Sequence, residues 1–515
     1  MVELLESISS VIWSNVFVYL CLGAGLYFSL RSRFVQLRQV PEMVRLMLKG
    51  ERSPSGVSSF QALSISLAGR VGTGNIAGVA TAIAFGGPGA LFWMWVMAFL
   101  GASTSFVECT LGQIYKVRDP LTGEYRGGPA YYLSRAYRHT RAAPALKVYG
   151  MVFAIVTVIA MGTLLPGVQS NSMAVAMNNA WQIPTWAVGA GLIIVLAFII
   201  IGGVKRIANF ASVVVPFMAV LYIIAALVAV FVNADAIPGV ISTIISSAFG
   251  ADAAFGAIIG SAVLWGVKRG IYSNESGQGS GPHAAAAAEV SHPAKQGLVQ
   301  SFAVYIDTLF VCSATGFLIL STGAYRVFEG ESADGAVMAD PGVLDAGVEV
   351  GPTYSQAAFD TVFTGAGASF IAISLLFFCL TTLIAYYYMA ETNLRYVLGT
   401  AAKKAVAGTT LGGIATRVLQ AAALAAAFIG CVSTAQEAWL AGDIGVGLMA
   451  WLNIVGILLL QGPAFKALRD YERQKKQGLD PLFDPVAVRI VGADLWETRD
   501  PDTGMERVSG AAAPK

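Results

Sequence analysis

Long apolar runs fill most of the chain, and its polar residues are gathered into short stretches between them. A membrane-spanning helix needs about 20 mostly apolar residues. Eleven windows meet that rule: 8–30, 60–85, 89–115, 148–178, 184–203, 210–232, 253–290, 297–324, 357–389, 411–431 and 444–461. The pattern predicts an all-α membrane protein of about eleven transmembrane helices. Two of the windows are interrupted. Inside the second, residues 69–78 read G-R-V-G-T-G-N-I-A-G, and inside the seventh, residues 274–282 read N-E-S-G-Q-G-S-G-P. Glycine costs a helix interior about 1 kcal/mol relative to alanine, so both are expected to be discontinuous helices. Windows two and seven are five apart, an odd number, so the chain runs through them in opposite directions. Spans two to six and seven to eleven then form a five-plus-five inverted repeat, and such paired breaks point to a transporter's binding site. The expected organisation is an extra N-terminal helix with a basic segment (1–58), two five-helix repeats (59–232 and 253–461) and a loosely ordered cytoplasmic tail (462–515).

Composition agrees with the pattern and charge orients it. The chain is 56% hydrophobic and 12% charged, where a soluble domain carries about 25% charged residues. A net charge of +2 excludes nucleic acid as a partner and leaves the lipid bilayer. Every second loop is basic, from Arg31–Arg52, Lys116–Lys147 and Lys205–Arg206 to Lys295, Arg395–Lys404 and Lys466–Lys476. The alternate loops hold few cations, and the one at 325–354 is acidic through Glu329, Glu331, Asp334, Asp340, Asp345 and Glu349. Basic loops face the cytoplasm. A multi-pass protein of the cell (inner) membrane is therefore expected, with its N-terminus outside and its C-terminus inside. The first thirty residues contain no Lys or Arg, so no cleavable signal is expected and the first window stays as a helix.

The candidate chemistry lies in and beside the breaks. Unwinding a helix in the bilayer frees N–H and C=O groups that must be satisfied. In the first break Thr73 and Asn75 add a hydroxyl and an amide beside glycines, a surface suited to a zwitterionic amino acid. Close helix packing through Gly74 and Gly78 is the other reading. Neither the dinucleotide spacing nor a phosphate loop is present. Thr381 and Thr382 place adjacent hydroxyls in mid-span; they either offer oxygen to a hard cation such as Na+ or bond back to their own helix. Arg70, Glu108, Lys268, Arg269 and Asp307 are intramembrane charges, functional by default. They read either as structural pairs or gates near a cytoplasmic cavity, or as a set in which one carries a proton. Gln169 and Asn171 contact substrate or join helices, and Tyr386 to Tyr388 form an interfacial belt or a lid. The five cysteines all lie in apolar windows and read as packing residues; three histidines do not make a histidine-rich zinc site. No nucleophile, base and orienting group assemble into an enzyme.

Two longer motifs resemble a known family. G-T-G-N-I-A-G-V-A-T-A-I, followed by G-G-P-G-A-L-F-W-M-W (72–95), is similar to the alanine or glycine:cation symporters of bacteria and archaea. So are S-N-E-S-G-Q-G-S-G-P-H-A-A-A-A-A (273–288), Q-G-L-V from Gln296 and the pair Asp307-Thr308. The likeness runs from Ser64 to Trp451. It implies the five-plus-five fold of the amino-acid, polyamine and organocation superfamily, and sodium-coupled, sometimes proton-coupled, uptake of small neutral amino acids. By motif, Thr73, Gly74 and Asn75 would meet the amino acid. Gln169 and the second break, with Ser273, Asn274, Gly277, Gln278 and Gly279, would complete the pocket. By the same resemblance Na+, as coupling ion, would sit between the carbonyls of Ala68 and Val71 and the hydroxyls of Thr381 and Thr382. The chain departs from the family where Ala385-Tyr386 replaces Gly-Trp and where Gln278 and His283 replace apolar residues. Tyr386 for tryptophan changes the volume and hydrogen bonding of a pocket wall. A transporter-like amino-acid sensor is the competing class, and a tail too short for a signalling domain counts against it.

Overall fold

A computed structural model describes residues 2–48, 57–119, 122–201, 203–250, 258–406 and 409–498. Lys49, Arg52, Ala253, the side chains of Lys205 and Arg206 and the tail beyond residue 498 lie outside the described residues. The helices in chain order are α1 (Val2–Ile12), α2 (Asn15–Arg31), α3 (Val35–Arg38), α4 (Val40–Leu48), α5 (Ser59–Arg70), α6 (Val79–Gly86), α7 (Gly89–Ile114) and α8 (Pro129–Arg135). They continue with α9 (Ala143–Ile159), α10 (Leu165–Trp181), α11 (Thr185–Ile200), α12 (Gly203–Val232), α13 (Ile237–Ala248), α14 (Ile259–Asn274), α15 (Gly281–Ala287) and α16 (Pro293–Tyr305). The last are α17 (Ser313–Thr322), α18 (Pro352–Val362), α19 (Gly367–Leu398), α20 (Leu411–Val432), α21 (Ala435–Leu460), α22 (Gly462–Lys476) and α23 (Asp494–Glu497). Three small hairpins, β1–β2, β3–β4 and β5–β6, pair Val117–Arg118 with Tyr125–Arg126, Val327–Phe328 with Val337–Ala339 and Ala405–Val406 with Thr409–Thr410.

Among the described residues seven helices are long and apolar enough to cross a membrane, or eight if α1 and α2, bent by 40° at their junction, make one span. The other expected windows are the 16-residue α11 and the two interrupted ones, α5–α6 and α14–α15. Two kinds of helix surface result. Along α12, Val213, Phe217, Ile224, Val228 and Phe231 recur on one exposed face, as lipid contact requires. In α7 nearly every residue from Gly101 onward is buried. Small residues permit this close approach: a Cβ on Gly101 would stand 2.8 Å from Ser276 Cβ, and one on Gly112 would stand 2.8 Å from the Pro282 carbonyl oxygen. Around this buried helix pack α14, α15 and α16.

Several expected boundaries are corrected. The window at 357–389 is two helices, because Asp360 turns back to accept from the Gly365 and Gly367 amides at 3.0 and 3.1 Å while Gly365 adopts φ +77°. The span proper is α19. Window 148–178 is part of one continuous helix, Ala143–Trp181, in which a π-turn at Ala160–Leu164 precedes Pro166. Proline lacks an N–H, and a wide turn relieves its clash with the preceding turn. Window 444–461 begins earlier, at Ala435, since Thr434 and Glu437 form a reciprocal cap. The tail, expected to be loosely ordered, is docked through residue 498. Trp496 Nε1 donates to the Gln113 carbonyl at 2.9 Å, Phe483 N donates to Ser291 O at 3.0 Å, and Phe483, Ile490 and Trp496 are buried.

Candidate functional site

The first break is shorter than residues 69–78. Helix α5 carries Gly69 and Arg70, only Val71 and Gly72 depart from helical geometry, and Val71 is extended (φ −78°, ψ 95°) while Thr73 is already helical (φ −54°, ψ −33°). The chain resumes in a π-turn, Gly74–Gly78, and then α6. The freed groups find polar partners. Asn75 Oδ1 accepts from Gly72 N at 2.8 Å, Gln169 Oε1 accepts from Thr73 N at 3.0 Å, and the Thr73 hydroxyl lies 3.2 Å from Cys379 Sγ. Gly72 is required by space: a Cβ there would stand 2.6 Å from Thr382 Oγ1 and 2.9 Å from Gln169 Oε1. The oxygens converge from α5 and α19. Thr382 Oγ1 lies 2.8 Å from Ala68 O and 3.4 Å from Val71 O across the interface, and 2.9 Å from Phe378 O of its own helix. Thr381 is not brought there; its hydroxyl bonds to Phe377 O and Phe378 O of its own helix.

The second break divides the residues expected from it. Ser273 and Asn274 face the first break and the π-turn at Ile306–Cys312: Ser273 Oγ donates to Asp307 Oδ2 at 2.9 Å, and Asn274 Nδ2 to Thr308 Oγ1 at 3.3 Å. Asp307 is the hub, because Asn75 Nδ2 donates to its Oδ1 at 2.6 Å and Thr308 Oγ1 to its Oδ2 at 2.8 Å. Gly74 brings the two breaks together, a Cβ there standing 3.1 Å from Ser273 Cα. Gly277 and Gly279 instead turn to α7, in φ +80° and +84° conformations that favour glycine. Their amides each donate to Glu108 at 3.2 Å, and Asn453 Nδ2 donates to the same carboxylate at 2.7 Å. Gln278 is fully buried, with neither amide atom hydrogen-bonded.

The intramembrane charges are resolved by partners that hydropathy windows left out. Lys268 and Arg269 pair with neither Glu108 nor Asp307 but with Asp443 on α21, at 2.9 Å from Lys268 Nζ and 2.8 Å from each of two Arg269 nitrogens. The pair forms the floor of a cavity of about 690 Å³ whose lining includes Glu331, Asp334 and Glu349 of the acidic loop. Arg269 lies over the Trp439 ring at 4.2 Å, and Trp439 meets Tyr272 at 5.1 Å. Tyr272 in turn lines Gly74. One layer of side chains thus separates this cavity from the first break. Arg70 donates to Gln300 O at 3.0 Å and Ser105 Oγ at 3.2 Å, and flanks Gly281 together with Glu108.

Asn171 joins helices, donating to Gly430 O and Ser433 O of the α20 end. The three tyrosines are buried: Tyr386 OH accepts from Gln169 at 3.5 Å, Tyr387 OH from Gln420 at 3.1 Å, and Tyr388 donates to His283 O at 3.3 Å. They are not an interfacial belt. All five cysteines are buried and free, and two of them adjoin the first break, Cys379 beside Thr73 and Cys312 beside Asn75. Sequence reasoning missed Asp443, Tyr272 and Asn453. Asp443 carried a usable signal, a lone acid beside an apolar run, but it fell one residue outside its window.

Comparison with known proteins supplies the family. A model described as the sodium:alanine symporter family matches residues 1–485. The chain is 54% identical over 510 residues, 99% of its length and 100% of the relative's, to a Bacillus subtilis protein provisionally named sodium/proton-dependent alanine carrier protein YrbD. It is 49% identical over 456 residues, 88% of its length and 97% of the relative's, to a sodium/proton-dependent alanine carrier protein of Bacillus sp. strain PS3. A third relative, provisionally named sodium/glutamine symporter GlnT of Bacillus subtilis, is 40% identical over 510 residues, 98% of each chain.

Proposed function

The chain belongs to the sodium:alanine symporter family, and from that premise we propose that it imports a small neutral amino acid, alanine or glycine, together with Na+. It is a multi-pass membrane transporter, not an enzyme. In this reading eleven spans cross the membrane as an N-terminal helix and two inverted five-helix repeats, with the N-terminus outside and the C-terminus inside. Transport proceeds by alternating access around the paired breaks. Na+ sits where Thr382 Oγ1 meets Ala68 O and Val71 O, and Thr381 completes the site by turning its hydroxyl from its own helix. The amino acid lies against Thr73, Gly74 and Asn75, with Gln169, Tyr386, Ser273 and Asn274 around it. Gly277 and Gly279 act from behind, through Glu108, and Gln278 lies buried between them. The observation that carries this reading is the convergence of oxygens from α5 and α19 at an unwound turn.

Alanine or glycine is preferred over glutamine because the two more similar relatives carry alanine in their names. Uptake of radiolabelled alanine into proteoliposomes tests both parts: an inward sodium gradient drives accumulation, and choline in its place does not. Equal uptake under choline defeats the sodium assignment. Proton coupling is the second reading, favoured by Asp307, a buried carboxylate bonded to both breaks through Asn75 and Ser273. Under it, accumulation follows a proton gradient without sodium, and Asp307→Asn abolishes that drive. A sensor would accumulate no amino acid under either gradient.

A further inference from the structure

A second cavity, of about 900 Å³, lies at the basic end of the molecule between α8, α9, the end of α19 and the docked tail. Its lining is strongly cationic. Arg126 is matched by Asp119 at 2.6 Å and shares Glu391, at 3.3 Å, with Arg395. Five further cations outnumber the acids beside them. Arg135 and Arg138 share the single carboxylate of Asp494, at 3.0 and 2.6 Å. Arg395 reaches Glu391 at 3.5 Å, and among the described residues its buried Nε and Nη1 have no hydrogen-bond partner. Lys147 and Lys403 enter the same space. A bias of cations toward one membrane face scatters them over loops; it does not require five to converge on one cavity or leave buried guanidinium nitrogens unsatisfied.

The surface leading from this cavity is apolar. Lys147 lies in the second turn of α9, and from there Val148, Val152, Ile155 and Ile159 are exposed by 64%, 43%, 45% and 50%. Their spacing puts them on one helix face. Met151 of the same helix lines the cavity itself. A basic pocket that opens onto a hydrocarbon-facing stripe suits a ligand with an anionic head and an apolar tail. We propose that this cavity binds the headgroup of an anionic phospholipid. Arg395 and Lys147 hold its phosphodiester, and an acyl chain lies along the α9 stripe. Guanidinium matches phosphate oxygens in fork geometry, and basic pockets between membrane helices take such headgroups. The lipid then ties α8 and α9 to the end of α19.

The test uses the full chain purified in detergent, with its unfolding temperature measured on adding phosphatidylglycerol, phosphatidylcholine or inorganic phosphate. Phosphatidylglycerol raises the unfolding temperature and the other two do not. Lys147→Gln with Lys403→Gln, both exposed positions, weakens the phosphatidylglycerol response by about thirtyfold in lipid concentration, near the effect of two cations at a membrane surface. Arg395→Gln weakens it as well. An equal response to phosphatidylcholine overturns the proposal, because charge would not matter. An equal response to inorganic phosphate overturns the lipid as occupant and leaves a free-anion site. An unaltered response in the double lysine variant overturns the location, whether or not Arg395→Gln folds.

Discussion

Thr382 joins two helices through one oxygen, and its neighbour does not. Thr382 Oγ1 bonds to Ala68 O across the interface, while Thr381 bonds only within α19. Adjacent threonines on a helix point about 100° apart, so hydropathy and spacing could name the pair but not choose between them. Replacing Thr382 by alanine removes the one side-chain oxygen of the convergent set. The sodium concentration for half-maximal alanine uptake is expected to rise about tenfold, equivalent to about 1.4 kcal/mol, with membrane expression retained. A smaller rise is expected for Thr381→Ala. Normal sodium activation in Thr382→Ala would place the ion elsewhere. Gly72 offers a second residue-scale test, since a methyl there would overlap Thr382 and Gln169. Overpacking of that kind costs about 1–3 kcal/mol. Gly72→Ala is expected to cut uptake severely while the protein still reaches the membrane; unimpaired uptake would mean that the close approach has no functional role.

At the scale of elements, the two broken helices were legible because glycine clusters are costly inside a span, and the rest of the site was legible in proportion to its distance from them. Thr73, Asn75, Gln169, Ser273 and Asn274 are gathered around the junction of the breaks. Gly277 and Gly279 are not, because their positive φ angles turn the backbone toward Glu108, a tertiary choice that no local pattern announces. Span boundaries failed where a single contact decided them. Asp360 cuts the ninth window, and the Thr434–Glu437 cap extends the last one so that Asp443 falls within it. Asp443 carries both Lys268 and Arg269 between α14 and α21. Removing one partner from a buried ion pair costs about 3–5 kcal/mol, so Asp443→Asn is expected to lower the unfolding temperature of the purified protein. Adding Lys268→Gln, which removes one of the stranded cations, should recover part of that loss. An Asp443→Asn protein as stable as the parent would show that the pair is solvated and closes nothing.

The whole molecule is held at its basic end by a tail that composition suggested was loose. Helix α22 reaches back to α4, where Glu42 lies 2.8 Å from Arg45 Nε and 3.4 Å from Lys475 Nζ and accepts from the Tyr471 hydroxyl. Burial works to raise the Glu42 carboxyl, but the hydrogen bonds from Arg45 and Tyr471 and the charges of Arg45 and Lys475 outweigh it and hold it at about 2. Folding therefore lowers this group from its ordinary value of about 4.3. The contact stabilises fully above that value and is lost only as pH falls through about 2. Hydrogen-exchange protection of α22, corrected for intrinsic rates, is expected to be constant between about pH 5 and 8 and to fall in Glu42→Gln. A drop in protection within that range would assign the anchor to another group.

On the proposed reading coupling is a property of the whole chain, because ion and amino acid meet opposite sides of one unwound turn, Val71 and Gly72. Whatever sodium adds to alanine affinity, alanine must add to sodium affinity. The most direct test of the central claim is equilibrium binding of radiolabelled alanine to the purified protein, in sodium and in choline at equal ionic strength. The account predicts alanine affinity about tenfold or more higher in sodium, as a coupling free energy of 1–3 kcal/mol implies, and loss of that difference in Thr382→Ala. The same affinity in both salts would contradict it.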